Sequence, residues 1–205
     1  MERVICLIIG YFIGCIQTAF IVGRLLGKID IREFGSGNAG TTNVTRVIGA
    51  KAGAIVFIAD ILKAVIAYCI CSFIFDGNGT FFSNGSIVYG VYAGFGVIIG
   101  HDFPFYLKFK GGKGVASTLG LILCIDLKVA LITYLIGFIV FIAKRYVSLS
   151  SLVMTLIAPV LMVFFKFESE AAIVMFVICA LAYWQHISNI KRLLNGEERK
   201  FSIKK

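Results

Sequence analysis

The stretch GVASTLGLILCI, residues 114–125, followed by Asp126, Leu127 and Lys128 and then by an apolar run to Ala143, decides how this chain is organised. Its 12 residues reach only about 18 Å at 1.5 Å per residue, short of the roughly 30 Å hydrocarbon core of a bilayer. The segment is either a short, partly re-entrant helix or half of one long helix. Merging the two pieces moves every later loop to the other side of the membrane, so the distribution of Lys and Arg arbitrates. With two pieces, Arg24, Lys28, Arg32, Arg46, Lys51, Lys108, Lys110, Lys113, Lys144, Arg145 and the six cations from Lys191 onward share one side, opposite Arg3, Lys128 and Lys166. That is 16 against 3, whereas merging leaves 9 against 9. The biased arrangement has seven spans, an outside N-terminus and a cytoplasmic C-terminal tail.

Outward from this stretch, the other apolar runs cover residues 4–26, 52–75, 87–100, 152–165 and 171–185. The first exceeds a signal-peptide core and has no small-x-small cleavage pattern before Arg24, so it reads as an uncleaved helix. The outer loops, 76–86, 126–128 and 166–170, are short. Composition agrees with a membrane protein. The 205 residues are 59% hydrophobic and 15% charged, against roughly 45–50% and about 25% in soluble domains. Mean hydropathy is +0.94. A soluble globule and a disordered chain are excluded, and so is collagen, because 22 Gly accompany only 2 Pro. The six Cys all lie in apolar runs and read as small buried hydrophobes. The expectation is an all-α membrane protein with seven transmembrane helices, some short or partly re-entrant, forming a single domain over residues 1–205.

Net charge +9 suits nucleic acid, anionic lipid or an anionic substrate, and position selects among them. Four polar segments share the expected cytoplasmic face. The first, residues 34–46, holds Gly35, Ser36, Gly37, Asn38, Gly40, Asn43 and Arg46, a pattern able to form a backbone nest for an anion or a simple capped turn. The second, residues 101–117, combines His101 with Lys110, Gly111, Gly112, Lys113 and Gly114. Glycines let the backbone approach a phosphate and the lysines supply charge. It is not a Walker A loop, since Leu107 stands where Gly is needed and Gly114 follows the Lys in place of Ser or Thr.

The third segment, residues 144–151, adds Arg145, Ser148 and Ser151, and the fourth, from residue 186, adds His186, Asn189 and Glu198. His186 and Asn189 are three apart and share a helix face, able to orient a ligand or move a proton. The basic tail also suits attraction to anionic lipid. Within the second span, Asp60 and Lys63 form either a mutual pair or a proton relay. Two His and no Cys on the inner face argue against zinc, and the scattered acids make a poor magnesium site.

Three of these segments together resemble the bacterial acyl-phosphate:glycerol-3-phosphate acyltransferase family, PlsY. The matching residues are Gly35-Ser36-Gly37-Asn38-x-Gly40-x-Thr42-Asn43-x-x-Arg46, then His101-x-Phe103-Pro104 with Phe109-Lys110-Gly111-Gly112-Lys113-Gly114-Val115-Ala116, then His186-x-x-Asn189-Ile190-x-Arg192-Leu193-x-x-Gly196-x-Glu198. Order and spacing agree along the whole chain. Departures are Ala39 where Pro is frequent, Ser117 where Thr is common and Ala64 where Gly often stands.

The resemblance implies transfer of a fatty acyl group from acyl-phosphate to the 1-hydroxyl of sn-glycerol 3-phosphate, the first acylation of phospholipid synthesis, in the bacterial inner membrane. The implied partners are fatty acyl-phosphate, glycerol 3-phosphate and membrane lipid, with no nucleic acid, no cofactor and no metal, in a monomer. Arg46, Lys113 and Ser151 are expected to hold the glycerol phosphate group, with Lys110, Arg145 and Ser148 nearby. Ser36, Asn38, Asn43 and the backbone at Gly35, Gly37, Gly111, Gly112 and Gly114 are expected to bind phosphate or polarise the reacting carbonyl. His186 and Asn189 orient or deprotonate the acceptor, while His101 and Glu198 support the loops. The alternative is a small transporter or channel for a phosphorylated anion using Asp60 and Lys63; its site belongs near the midplane, whereas the polar chemistry gathers at one face.

Overall fold

The computed structural model describes residues 1–75 and 86–201. The expected outer loop at 76–86 lies, apart from Ser86, outside the described residues, as do Lys204 and Lys205 of the basic tail. The described regular elements are helical: α1 Glu2–Gly14, α2 Thr18–Val22, α3 Thr41–Val47, α4 Ala50–Phe75, α5 Val88–Asp102, α6 Val115–Ile125, α7 Leu127–Lys144, α8 Val147–Phe164, α9 Ser169–Gln185 and α10 Ile187–Leu194.

Residues 114–143 form two helices. Asp126 is extended (φ −165°, ψ 133°), and its carboxylate accepts from the Val129 amide at 2.9 Å, so it ends α6 and N-caps α7. Tyr134 of α7 donates to the Leu119 carbonyl of α6, which requires the second helix to fold back along the first. Among the described residues, four stretches are long and apolar enough to cross a membrane: Glu2–Gly27, α4, α7 and α8. The pair α9 and α10, bent by 62°, makes a fifth if taken together. The expected count of seven adds α5 and α6. These have 15 and 11 residues, fewer than the roughly 20 that a full crossing asks for. The Phe103-Pro104 break ends one, while Gly114 and Asp126 bound the other.

α1 and α5 run parallel in close contact. A Cβ at Gly10 would meet the Ala93 carbonyl at 2.0 Å and one at Gly14 the Val97 carbonyl at 2.2 Å; Gly96 and Gly100 bring α5 equally close to Leu7 and Tyr11. Small residues four apart on both helices allow this backbone approach. It holds the end of α5 beside Cys15, Ile16 and Gln17, where α1 gives way to α2. The Gln17 side chain, fully buried, donates to the His101 carbonyl at 2.8 Å.

The main core joins α4, α5, α6, α7, α8 and α9 through Tyr68, Val91, Leu121, Val129, Met162 and Met175. Leu131, Leu135, Phe138 and Ile142 of α7 are about 60% exposed, an outward apolar stripe suited to lipid. At one end of the bundle Arg3 pairs with Glu170, Tyr89 donates to Glu2 and Ser86 to Glu168. The starts of α1, α5 and α9 therefore share that end. The glycine-rich segments lie at the opposite end. Among the described residues the six cysteines form no disulfide.

Candidate active site

The first glycine-rich segment is shaped by one side chain. Asn43, in the first turn of α3 and 1% exposed, accepts from the Ser36 amide at 2.9 Å and donates to the Ile31 and Phe34 carbonyls, each at 3.0 Å. Gly35 has φ +65°, and a Cβ there would meet Asn43 Oδ1 at 2.2 Å, so this turn accepts only glycine. Ser36 stands exposed at the tip, with Asn38 half-buried behind it. Asn43, expected among the phosphate-binding groups, has its amide committed to the loop backbone and acts by holding Ser36 in place.

The second segment closes on the end of α5. Gly111 and Gly112 amides donate to the Asp102 and His101 carbonyls at 3.1 and 2.9 Å. A Cβ at Gly112 would lie 1.9 Å from His101 Nε2. The Ala39 amide donates to the Gly111 carbonyl at 3.3 Å, which joins the two glycine segments side by side.

From this junction Lys113, half-buried, donates to Asn189 Oδ1. Asn189 in turn donates to Glu198 Oε1 at 2.7 Å, an oxygen that also accepts from Ser148 Oγ at 2.7 Å. Arg192 Nε pairs with Glu198 Oε2 at 2.7 Å. Arg46 donates to the Arg199 carbonyl at 3.3 Å. His186, at the bend between α9 and α10, is 4% exposed and its Nδ1 lies 2.7 Å from the Ala182 carbonyl. A carbonyl only accepts, so Nδ1 carries the proton and the Nε2 lone pair is left for another donor.

Charge at this cluster is unbalanced. Arg46 is repelled by Arg199 and Arg192, and Lys113 by Arg192, while Glu198 attracts both. Burial, and then repulsion from Arg192, bring the Lys113 ammonium down to about 8, against the pull of Glu198 and Asp102. Burial also lowers Arg46, assisted by Arg199. Burial pushes the Glu198 carboxyl up, but hydrogen bonds from Asn189, Ser148 and Arg192 outweigh it and hold the group below the ordinary carboxylate range. A site with several half-buried cations around one carboxylate favours a multiply charged anion.

Thus Lys113, Ser148, Asn189, Arg192 and Glu198 join one network, and Arg46 stands beside it on the Arg199 carbonyl. Ser151 is adjacent in α8, 3% exposed, with its hydroxyl donating to the Val147 carbonyl at 2.8 Å. Lys110 is exposed and lines a separate concavity with Asp30, Arg32 and Tyr106. Arg145 ends α7 with φ +59° and an exposed side chain. Sequence reasoning assigned no site role to Arg192, although it stands three residues after Asn189, and none to Arg199, for which the sequence carries no signal.

The model of the family described as glycerol-3-phosphate acyltransferase matches residues 4–196. The chain belongs to that family. A glycerol-3-phosphate acyltransferase of Thermoanaerobacter pseudethanolicus is 41% identical over 204 residues, covering 100% of this chain and 98% of the relative. That of Clostridioides difficile is 38% identical over 202 residues, covering 98% and 97%. The crystal structure of PlsY, an integral membrane glycerol 3-phosphate acyltransferase, in its glycerol 3-phosphate form superposes with a TM-score of 0.87 at 35% identity, covering 98% of this chain and 96% of that one. The lysophosphatidic acid form gives 0.84. The chain is therefore an integral membrane acyltransferase, and the glycine segments and their cations lie at one end of its bundle.

Proposed function

We propose that this enzyme transfers a fatty acyl group from acyl-phosphate to the 1-hydroxyl of sn-glycerol 3-phosphate, yielding lysophosphatidate and inorganic phosphate. The observation that carries the reading is the convergence, at one end of an apolar bundle, of two glycine-lined segments with the Lys113–Asn189–Glu198–Arg192 network and Arg46. Both substrates carry phosphate, which accounts for the surplus of cations; the Gly111 and Gly112 amides, expected to bind phosphate, are spent on the Asp102 and His101 carbonyls, so those glycines serve close packing of the loop. The glycerol 3-phosphate and lysophosphatidic acid forms of the PlsY neighbour support the same substrate and product here.

A mixed anhydride is already activated, so the enzyme's work is to position two anions, neutralise their charge and remove one proton. Arg46, Lys113 and Ser151 hold the phosphate of glycerol 3-phosphate, with Lys110 and Arg145 adding positive potential. The side chains of Ser36 and Asn38 bind the donor and polarise its carbonyl, while Gly35 and Gly37, at positive φ and with the Gly37 amide donated to the Phe34 carbonyl at 3.0 Å, shape the turn that presents them. The acceptor oxygen attacks that carbonyl carbon, the new ester C–O bond forms, and the anhydride C–O bond breaks as phosphate leaves. The hydroxyl proton passes to His186 Nε2 or to a phosphate oxygen of the donor, with Asn189 orienting the acceptor.

The chain forms a single domain of seven spans, with its N-terminus outside and the site facing the cytoplasm of a bacterial inner membrane, and acts as a monomer. The grouping of α1, α5 and α9 starts at the end opposite the site supports this alternation. Purified protein incubated with glycerol 3-phosphate and labelled palmitoyl-phosphate should form labelled lysophosphatidate. Palmitoyl thioesters in its place should not. Product from the thioester alone would overturn the donor assignment.

A further inference from the structure

Asp60 and Lys63 lie one turn apart in the body of α4, 1% and 5% exposed. Lys63 Nζ is 2.8 Å from Asp60 Oδ1, 2.7 Å from His101 Nδ1, 3.4 Å from the Gly14 carbonyl and 3.3 Å from the Ile16 carbonyl. An ammonium has three protons and no lone pair, so it donates to the two near atoms, Asp60 Oδ1 and His101 Nδ1, and the third proton is shared by the more distant Gly14 and Ile16 carbonyls. His101 Nδ1 is then unprotonated, and the neutral ring carries its proton on Nε2. That nitrogen lies against Gly112 of the second glycine segment, where even a methyl group would not fit. The backbone of His101 is pinned from both sides, its carbonyl accepting from Gln17 Nε2 at 2.8 Å and from the Gly112 amide at 2.9 Å. Asp60 is held in turn by Thr18 Oγ1 at 3.4 Å, and its main-chain carbonyl by Ser117 Oγ at 3.1 Å. A buried ion pair that served only to neutralise itself is seldom better than apolar packing, and it would need no imidazole.

We propose that Lys63, held by Asp60, is a positioning residue for glycerol 3-phosphate: it fixes the tautomer and orientation of the His101 ring, whose Nε2–H edge packs against Gly112 and props the 111–114 segment in the shape that receives the substrate phosphate. The proposal rests on the reading of that segment as a phosphate site. It makes the intramembrane pair part of substrate affinity, acting through one ring.

The test compares full-length enzyme with Lys63→Met, His101→Phe, Lys63→Met/His101→Phe and the charge-balanced Asp60→Asn/Lys63→Met, by steady-state kinetics and thermal unfolding. Each should raise the KM for glycerol 3-phosphate about tenfold, as loss of a hydrogen bond to a charged group does, with a much smaller change in kcat. Lys63→Met added to His101→Phe should cost nothing further. The balanced pair should unfold at the wild-type temperature and still show the raised KM. Independent effects at Lys63 and His101, or a normal KM in the balanced pair, would overturn the proposal. The chain has two histidines, so nitrogen-15 histidine labelling in a His186→Gln protein isolates one ring by NMR. It should show the Nε2–H tautomer in that protein and a shifted population once Lys63→Met is added; an Nδ1–H ring at the start sinks the idea without any activity assay. If the tautomer is as expected but Lys113→Ala leaves the KM for glycerol 3-phosphate unchanged, the phosphate-site reading has failed instead.

Discussion

Lys113 donates its ammonium to Asn189, so the second glycine segment is tied directly to the helix that follows the 62° bend. The bond brings a cation from residue 113 and an amide from residue 189 to one point, and Glu198 holds the amide's other end at 2.7 Å. Loss of the cation should therefore be felt as lost substrate affinity. A charge-assisted bond to a partly desolvated phosphate is worth about 1.5–3 kcal/mol, so Lys113→Ala and Arg46→Ala should each lower kcat/KM for glycerol 3-phosphate at least about tenfold. Lys51→Ala, at an exposed position, should not. Equal behaviour of all three, in correctly inserted protein, would mean that the cations serve only membrane orientation.

The same lysine sets an alkaline limit. Burial lowers it to about 8, below its ordinary value, and only its protonated form attracts phosphate. As pH rises through 8 the free enzyme loses that charge, so kcat/KM, which reports the free enzyme, should fall on the alkaline side. Lys113→Arg keeps a charge that does not titrate in this range. Whatever the level of its activity, the alkaline limb should move out of the measurable window; an unmoved limb would assign it to another group.

Gly100 packs its α-carbon against the Tyr11 carbonyl, which a Cβ would approach to 2.1 Å. Gly100→Ala should force α1 and α5 apart and destabilise the protein by about 1–3 kcal/mol, the usual cost of overpacking. Thermal unfolding in detergent measures it. An unchanged melting temperature would show that the two helices are less tightly joined than their backbones suggest.

Topology is open to a labelling test. In a cysteine-free background, Lys51→Cys and Lys128→Cys, both at exposed positions and separated by α4, α5 and α6, should react with an impermeant reagent from opposite sides of the membrane. Reaction from the same side would remove one of the short spans from the count.

Direct transfer requires that no acyl group rest on the protein. Ser36 is exposed in its turn, with its amide held by Asn43, and a nucleophilic serine needs a base within hydrogen-bond reach. Enzyme mixed with labelled acyl-phosphate alone and denatured at once should carry no label on the peptide containing Ser36. Stoichiometric label there, absent from Ser36→Ala and chased by glycerol 3-phosphate, would replace direct transfer by a two-step route and leave the acyltransferase assignment intact.

Much of the site was legible as segments and little of it as geometry. Gly35, Gly112 and Lys113 stand out in sequence because glycine and cations in that order suit phosphate. The part played by Asn43 does not, since an amide facing ligand and an amide bonded to its own loop look alike until the loop is folded. Arg199 was illegible for a related reason. It follows the last helix with no periodic pattern around it, and its place beside Arg46 depends on where the chain runs after Glu198.

The sequence by itself determined what is local or compositional: an all-helical membrane chain, the division of residues 114–143 at Asp126, the four polar segments and, through their motifs, the family. Each of these rests on hydrophobic content, on the bias of Lys and Arg among the loops or on spacing within a few residues. Only the tertiary structure decided which segments meet. The glycine faces of α1 and α5 lie more than 80 residues apart in the chain, and the ring of His101 is set by a lysine on another helix. Such contacts follow from close backbone approach and from a buried ammonium seeking acceptors, and neither leaves a mark at any single position in the sequence.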